Sequence, residues 1–302
     1  MIEKRSLHLL WLKIPLLRNA LIALRKRPSI LVLSFPRCGS SWVGSIIGRA
    51  KKAQYLREPI SRMVKVKGLS SIFSETNDDF RRASFQIFSK WPEDNIDYLP
   101  FPSLWRPDRL IGGTLVVKEV SLLSTQIFLE FKPKLIFLYR HPAAVAQSLI
   151  RSKVMCSSKD FLVSSQKYRE SLDLSDDFSL GVSLYAYMLS RTLPYLLSYK
   201  DKVFVCFETL CRQPLEIFRQ LYEFGGLKFD NTTINTIERL GSFEHQHPFS
   251  LLRETRNVPA RQFKGISPKM ALKARLIWEH FDLPWYREDS DWDEKLFQSC
   301  EL

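Results

Sequence analysis

Four short apolar runs rich in β-branched and aromatic residues, at 30–35, 115–120, 135–139 and 203–207, are bounded by polar or turn-forming residues. Their length and their lack of alternation predict strands buried on both faces. Between and after them, apolar residues recur at helical intervals over 42–52, 122–131, 143–151, 180–199, 215–224 and 268–281. Strands alternating with helices imply an α/β fold, a central parallel β-sheet flanked by helices on both faces. Ligands of such sheets bind beyond the carboxyl ends of the strands, so the chemistry is sought there. Residues 54–57 read as a short strand-like step. The stretch 63–107 lacks periodicity and carries Trp91-Pro92 and Phe101-Pro102, which predicts an irregular, substrate-facing insertion.

The first strand runs into LVLSFPRCGSSWVGSIIG, in which Pro36-Arg37-Cys38-Gly39-Ser40-Ser41-Trp42 interrupts the apolar pattern before helical spacing resumes. A strand, a tight loop and a helix N-terminus present a row of backbone N–H donors to an anion. Arg37 adds a positive charge, and Ser40 and Ser41 add hydroxyls. No GxxxxGK[ST] can be written across the loop, so the lysine and hydroxyl that serve ATP and Mg²⁺ are missing. The pattern predicts a phosphate cradle that needs no metal.

Composition narrows the partners. A net charge of +13 over 302 residues points to an anionic partner: a nucleotide, an acidic glycan, a membrane surface or nucleic acid. Aromatic and basic residues are not interleaved in a nucleic-acid motif, so no nucleic acid is expected. The cysteines, Cys38, Cys156, Cys206, Cys211 and Cys300, are odd in number and form no metal or disulfide spacing. Free thiols in a reducing compartment fit them and predict a cytoplasmic protein. Residues 6–24 are apolar but interrupted by Lys13, Pro15, Arg18 and Asn19. They predict an amphipathic basic helix within an N-terminal segment 1–29, packed on the domain or lying on a membrane face. A domain over 30–285 and a tail over 286–302 complete the expected organisation.

A second segment, KLIFLYRHPAAVAQSLIRSK from Lys134, places Arg140 at a strand end, Pro142 in the first turn of the next helix and Ser148 two turns into it. Here the chain resembles the sulfotransferases that use 3′-phosphoadenosine 5′-phosphosulfate (PAPS). FPRCGSSW resembles that family's 5′-phosphosulfate loop, and YRHPAAVAQSLIRSK its 3′-phosphate segment. VFVCFETLCRQPLEIFRQLYEFGGL resembles the strand–Glu–Leu–Pro–helix element that follows. The resemblance covers about residues 30–270 and lies closest to carbohydrate, tyrosyl-protein and bacterial members. Three positions depart from the family pattern: Arg37 replaces the usual Lys, Cys38 a Ser, and Phe207 a Tyr.

The resemblance implies a P-loop-type nucleotide-binding fold, PAPS as co-substrate and no metal. It implies donor contacts from Arg37, Cys38, Gly39, Ser40, Ser41, Trp42, Arg140 and Ser148. Arg256, Ser250, Arg261 and Lys264 are expected to close over the nucleotide or grip an acidic acceptor. Sulfuryl transfer must offset charge on the leaving phosphate and remove the acceptor's proton. Arg37 and Lys118, at the end of LVVKEV, suit the first task. Glu58 in YLREP is the candidate base, its pKa expected to be raised by Tyr55 and Leu56. His245 and His247 are rival bases. Glu119 is expected to face away from Lys118, and Glu208 to order its loop. The acceptor implied is a hydroxyl or amine of a carbohydrate, lipid or metabolite. Two other classes stand beside this one: a basic non-catalytic anion- or lipid-binding protein, and a metal-dependent nucleotide kinase.

Overall fold

The computed structural model describes residues 14–64, 78–89, 101, 105, 109, 111–152, 166–241 and 262–293. Five strands form one all-parallel sheet: β1 (Lys26–Ser34), β2 (Ala53–Arg57), β3 (Thr114–Glu119), β4 (Lys134–Tyr139) and β5 (Lys202–Cys206). Their order is β2-β3-β1-β4-β5. In the two central pairings Val32 lies opposite Lys118 of β3 and Ile136 of β4. Ile30 to Leu33 and Leu135 to Leu138 are fully buried. Successive side chains point to opposite faces, so burial of whole runs means that helices cover both faces. Each such side chain contributes roughly 1.5–3 kcal/mol on leaving water.

The helices are α1 (Pro15–Ala23), α2 (Ser40–Ile47), α3 (Pro59–Met63), α4 (Asp78–Ser89), α5 (Thr125–Glu130), α6 (Pro142–Arg151), α7 (Gln166–Ser171), α8 (Asp177–Ser198), α9 (Phe207–Arg212), α10 (Pro214–Gly225), α11 (Asn231–Gly241) and α12 (Pro268–His280). Asp176 caps α8 by accepting from the Ser179 amide, and Ser267 caps α12 by accepting from the Met270 amide. None of the described helices is long and apolar enough to cross a membrane.

Several expectations are corrected. The first strand begins at Lys26, so the N-terminal segment is not helical to residue 29. Residues 54–57 belong to a full edge strand, because β2 pairs with β3 along its whole length. The stretch 63–107 is not irregular throughout: α4 buries Phe80, Ala83, Ser84, Ile87 and Phe88, which share one face at helical spacing. Phe207 opens α9 instead of closing β5, and α3, α7 and α11 were not anticipated. Residues 286–293 are not tail. Trp292 is buried, Tyr286 bonds Glu208, and Trp285 packs on Phe137 and Tyr139 of β4 and Phe204 of β5, covering one face of the sheet there.

Candidate active site

The order of strands puts the turn after β1 beside the turns after β3 and β4. The β1 turn is an anion cradle by geometry. Arg37 and Gly39 both have positive φ, 73° and 92°, which curls the chain so that the first turn of α2 faces outward. Gly39 allows this because a Cβ there would lie 2.5 Å from two ring carbons of Phe207. Its carbonyl accepts from the Trp42 and Val43 amides at 3.0 and 3.3 Å. The earlier amides of α2 have no partner within the helix and are available to a ligand.

The side chains of the loop divide their work. Ser34 donates to Ser40 Oγ at 2.7 Å, which turns that hydroxyl inward, while Ser41 is half-buried at the mouth. Cys38 is fully buried and its thiol is pushed up to about 12, chiefly by burial, so it is neither a nucleophile nor an exposed donor. It serves the cradle through its backbone. Trp42 lies edge-on to Phe218 of α10, with ring centroids 5.4 Å apart, and its buried Nε1 has no partner among the described residues.

The turns after β1 and β4, the two candidate anion-binding segments, meet. Arg140 donates from Nη1 to the Arg37 carbonyl at 2.9 Å, and Arg37 donates from Nε to Ser148 Oγ at 2.9 Å. Arg140 is itself buried, with its guanidinium 4.6 Å from the centre of the Phe207 ring. Its backbone amide donates to Tyr185 Oη at 3.2 Å and its Nε to Gln262 Oε1 at 3.1 Å. The Gln262 amide nitrogen is buried beside Arg140 with no acceptor among the described residues. A buried amide donor next to a guanidinium fits a phosphate oxygen. Beneath this layer Glu208 accepts from the His141 amide, from Tyr286 Oη at 2.8 Å and from the Cys206 thiol. It was expected to order the loop after its own strand; its bonds instead tie the turn after β4 and Tyr286 to the end of β5. His141 is buried, which lowers its pKa to about 4, so neutral Nε2–H donates to the Asp291 carbonyl at 3.0 Å.

Glu58 and Lys118 sit at the neighbouring strand ends and form an ion pair. Lys118 is not an exposed strand-end residue: its side chain keeps 3% of its accessible surface, and that of Glu58 keeps 26%. Glu58 adopts φ 52°, and its amide donates to the Lys118 carbonyl at 2.7 Å. A non-glycine residue held there is strained, and strain of this kind collects at functional sites. The expected upward pKa shift is overturned. Lys118 holds the Glu58 carboxyl below the ordinary carboxylate value, and its attraction outweighs the opposing effect of burial.

Glu119 points to the other face, as strand alternation requires. It accepts from the Ile60 and Ser61 amides at 2.7 and 3.3 Å and from Ser61 Oγ at 2.6 Å, so it fixes the start of α3 directly after Glu58. Burial, with Glu58 nearby, raises its pKa to about 7. Sequence reasoning missed Glu119, Gln262, Tyr185 and His141 as supports. Only Glu119 carried a local signal, an acidic residue inside a buried strand.

Lys264 is exposed, and its carbonyl, not its ammonium, contacts α6 through Gln147 and Arg151. Ser250, Arg256, Arg261, His245 and His247 lie outside the described residues. Among the described residues no group of three or more His, Cys, Asp or Glu is placed to hold a metal.

A family model for the sulfotransferase domain matches residues 27–267. No curated protein matches the chain. Among solved structures it is similar to a sulfotransferase domain from the curacin biosynthetic pathway, at 17% identity and TM-score 0.46, covering 92% of this chain and 99% of that one. A sulfotransferase from Alicyclobacillus acidocaldarius matches at 15% identity and TM-score 0.41, covering 88% and 99%. A mouse sulfotransferase complexed with PAP matches at 12% identity and TM-score 0.42, covering 93% and 92%.

Proposed function

The chain belongs to the sulfotransferase family, and from that premise we propose that it moves a sulfuryl group from PAPS to a hydroxyl or amine of a carbohydrate, lipid or metabolite. The observation that carries this reading is the junction of Arg140 with the Arg37 carbonyl and of Arg37 with Ser148. A nucleotide phosphorylated at both its 3′ and 5′ positions needs two anion centres held at a fixed separation. These two are far apart in sequence and joined by direct hydrogen bonds. In this reading the loop amides and Arg37 hold the 5′ side, with Trp42 beside them. Arg140, Ser148 and the Gln262 amide hold the 3′-phosphate, with Ser250, Arg261 and Lys264 assigned to the donor as well. Residues 30–285, extended by the packed stretch to 293, act as one catalytic domain.

Transfer breaks the bond between sulfur and the 5′-phosphate oxygen and forms one to the acceptor, in line. Arg37 and Lys118 offset the charge growing on the leaving oxygen, and ionised Glu58 takes the acceptor's proton. The low pKa of Glu58 suits a base that must be ionised before the reaction. Once Lys118 turns to the leaving oxygen, the carboxylate loses its partner and becomes more basic. Tyr55 and Leu56, buried beside it, keep the surroundings apolar.

Exposed Ile14, Leu16, Leu17 and Leu24 around α1, with Leu16 at 85% exposure, favour a peripheral contact of this helix with a membrane face. The free thiols Cys38 and Cys206 favour the cytoplasm.

A thermal-shift titration tests the donor assignment. Adenosine 3′,5′-bisphosphate at a hundredfold excess over its Kd should stabilise the fold by about 2.7 kcal/mol, with ATP plus Mg²⁺ giving far less. The reverse order would favour a kinase. Sulfur-35 transfer from labelled PAPS across sugar, lipid and phenol acceptors then identifies the substrate class.

A further inference from the structure

The nucleotide cradle occupies the carboxyl ends of the strands. At the amino ends lies a second cavity, of about 520 Å³, between the last turn of α2, the turn into β2, α10 and the start of α11. That is the size of a small-ligand pocket. Three cations line it: Arg49, Lys51 and Arg109. Among the described residues none of the three forms an ion pair. Arg49 lies over Phe101, 3.8 Å from the ring centre, with Nη1 near the Ser45 carbonyl at 3.3 Å. Its burial and the nearby charge of Arg239 both act against its ionised form. An arrangement that gathers like charges and partly desolvates one of them is favourable only when an anion joins it.

One carboxylate also lines the cavity. Asp230 Oδ1 accepts from the Thr233 amide at 3.0 Å and from its hydroxyl at 3.1 Å, so it is engaged in capping α11. The hydroxyl of Thr236 donates to the Thr232 carbonyl, and that of Tyr222 to the Ile46 carbonyl. Thr232 remains as a hydroxyl donor beside the guanidinium groups.

We propose that this cavity is a second oxyanion site, which takes a phosphate or sulfate monoester carried on a ligand of sugar-phosphate size. It is separate from the donor cradle, since Ser40 and Ile46 are about 9 Å apart along the axis of α2. A group bound here cannot meet the transferred sulfur and acts as an anchor. Two sources share the chemistry, a soluble sugar phosphate and an anionic lipid headgroup. The second is included because exposed Leu24 and Ile111 lie at the same end of the sheet: the Gly112 amide donates to the Leu24 carbonyl, and Lys52 to the Ile111 carbonyl.

The test uses the full chain saturated with adenosine 3′,5′-bisphosphate, which fills the cradle. Inorganic pyrophosphate and glucose 6-phosphate serve as soluble probes in calorimetry. Phosphatidylcholine vesicles with and without phosphatidylinositol 4-phosphate serve as the lipid probe in sedimentation. Binding of either kind should weaken about tenfold or more in R49Q/R109Q. It should be unchanged in R81Q, which removes an exposed charge on α4. Because Arg49 packs on Phe101, K51Q provides a second variant at an exposed position, expected to weaken binding severalfold. Soluble binding identifies a small phosphorylated ligand, and binding to vesicles alone identifies a lipid. The proposal is overturned if no probe binds with the cradle filled. It is also overturned if R81Q loses as much as R49Q/R109Q, or if R49Q/R109Q and K51Q both bind as the parent does.

Discussion

Arg140→Ala removes two kinds of contact at once, and the structure separates them. In the proposed binding mode the guanidinium supplies a charge-assisted bond to the 3′-phosphate, worth about 1.5–3 kcal/mol. It also holds the Arg37 carbonyl at 2.9 Å, a neutral-acceptor bond worth roughly 0.5–1.5 kcal/mol, which orders the 5′ loop. Adenosine 3′,5′-bisphosphate feels both losses, about 2–4.5 kcal/mol, or roughly thirtyfold to two-thousandfold in Kd. Adenosine 5′-phosphate has no 3′ group and feels only the loop loss, roughly two- to twelvefold. The parent's preference for the bisphosphate should therefore collapse by about tenfold or more. Arg140→Lys should recover less than half of it, because an ammonium cannot serve Gln262, the Arg37 carbonyl and a phosphate in one plane. Calorimetry with the two nucleotides reads the ratio, and thermal unfolding without ligand shows whether the variant is folded. If a folded Arg140→Ala keeps its preference for the bisphosphate, Arg140 does not hold the 3′-phosphate and the shared cradle is refuted.

Glu58→Gln frees Lys118 from its ion pair, so it should not weaken bisphosphate binding, while it lowers turnover by about 10²–10⁴; full activity would pass the role to His245 or His247. Gly39→Ala should destabilise the fold by about 1–3 kcal/mol in urea midpoints, since its Cβ meets the Phe207 ring at 2.5 Å and φ is 92°; a neutral result would mean that the loop relaxes freely. Burial holds the Glu119 carboxyl at about 7 against an ordinary 4.5, so the folded state keeps this proton longer than the unfolded chain. That contribution is fully present below the unfolded value and is lost as pH rises through 7, by at most about 3 kcal/mol. Glu119→Gln should flatten this slope in denaturation measured from about pH 5 to about pH 8, and an unchanged slope would assign it to other groups.

The strands and the turns that follow them were legible because each is a local pattern: an apolar run ending at Ser34, Glu119 or Tyr139, then a break in that pattern. What lay hidden is of two kinds. Helix α4 was hidden because its four charges, Asp78, Asp79, Arg81 and Arg82, crowd its first turn and mask an otherwise regular apolar face. The contacts of Arg140 with Gln262 and of His141 with Asp291 join residues more than a hundred positions apart, so no local period records them. The direction of the Glu58 shift was misread for the same reason. Its apolar neighbours are adjacent in sequence, whereas the ammonium that dominates it comes from another strand.

The ion pair between Glu58 and Lys118 also sets a sequence of events. With Lys118 engaged on one oxygen of Glu58, an arriving alcohol finds a carboxylate whose basicity the ammonium has lowered. Water in the empty enzyme meets the same obstacle. In the proposed mechanism the nucleotide draws Lys118 away, so the acceptor becomes reactive after the nucleotide is seated. On the proposed roles of Glu58 and Lys118, a single contact between adjacent strands makes deprotonation of the acceptor wait for the sulfuryl carrier, whichever of the two binds first.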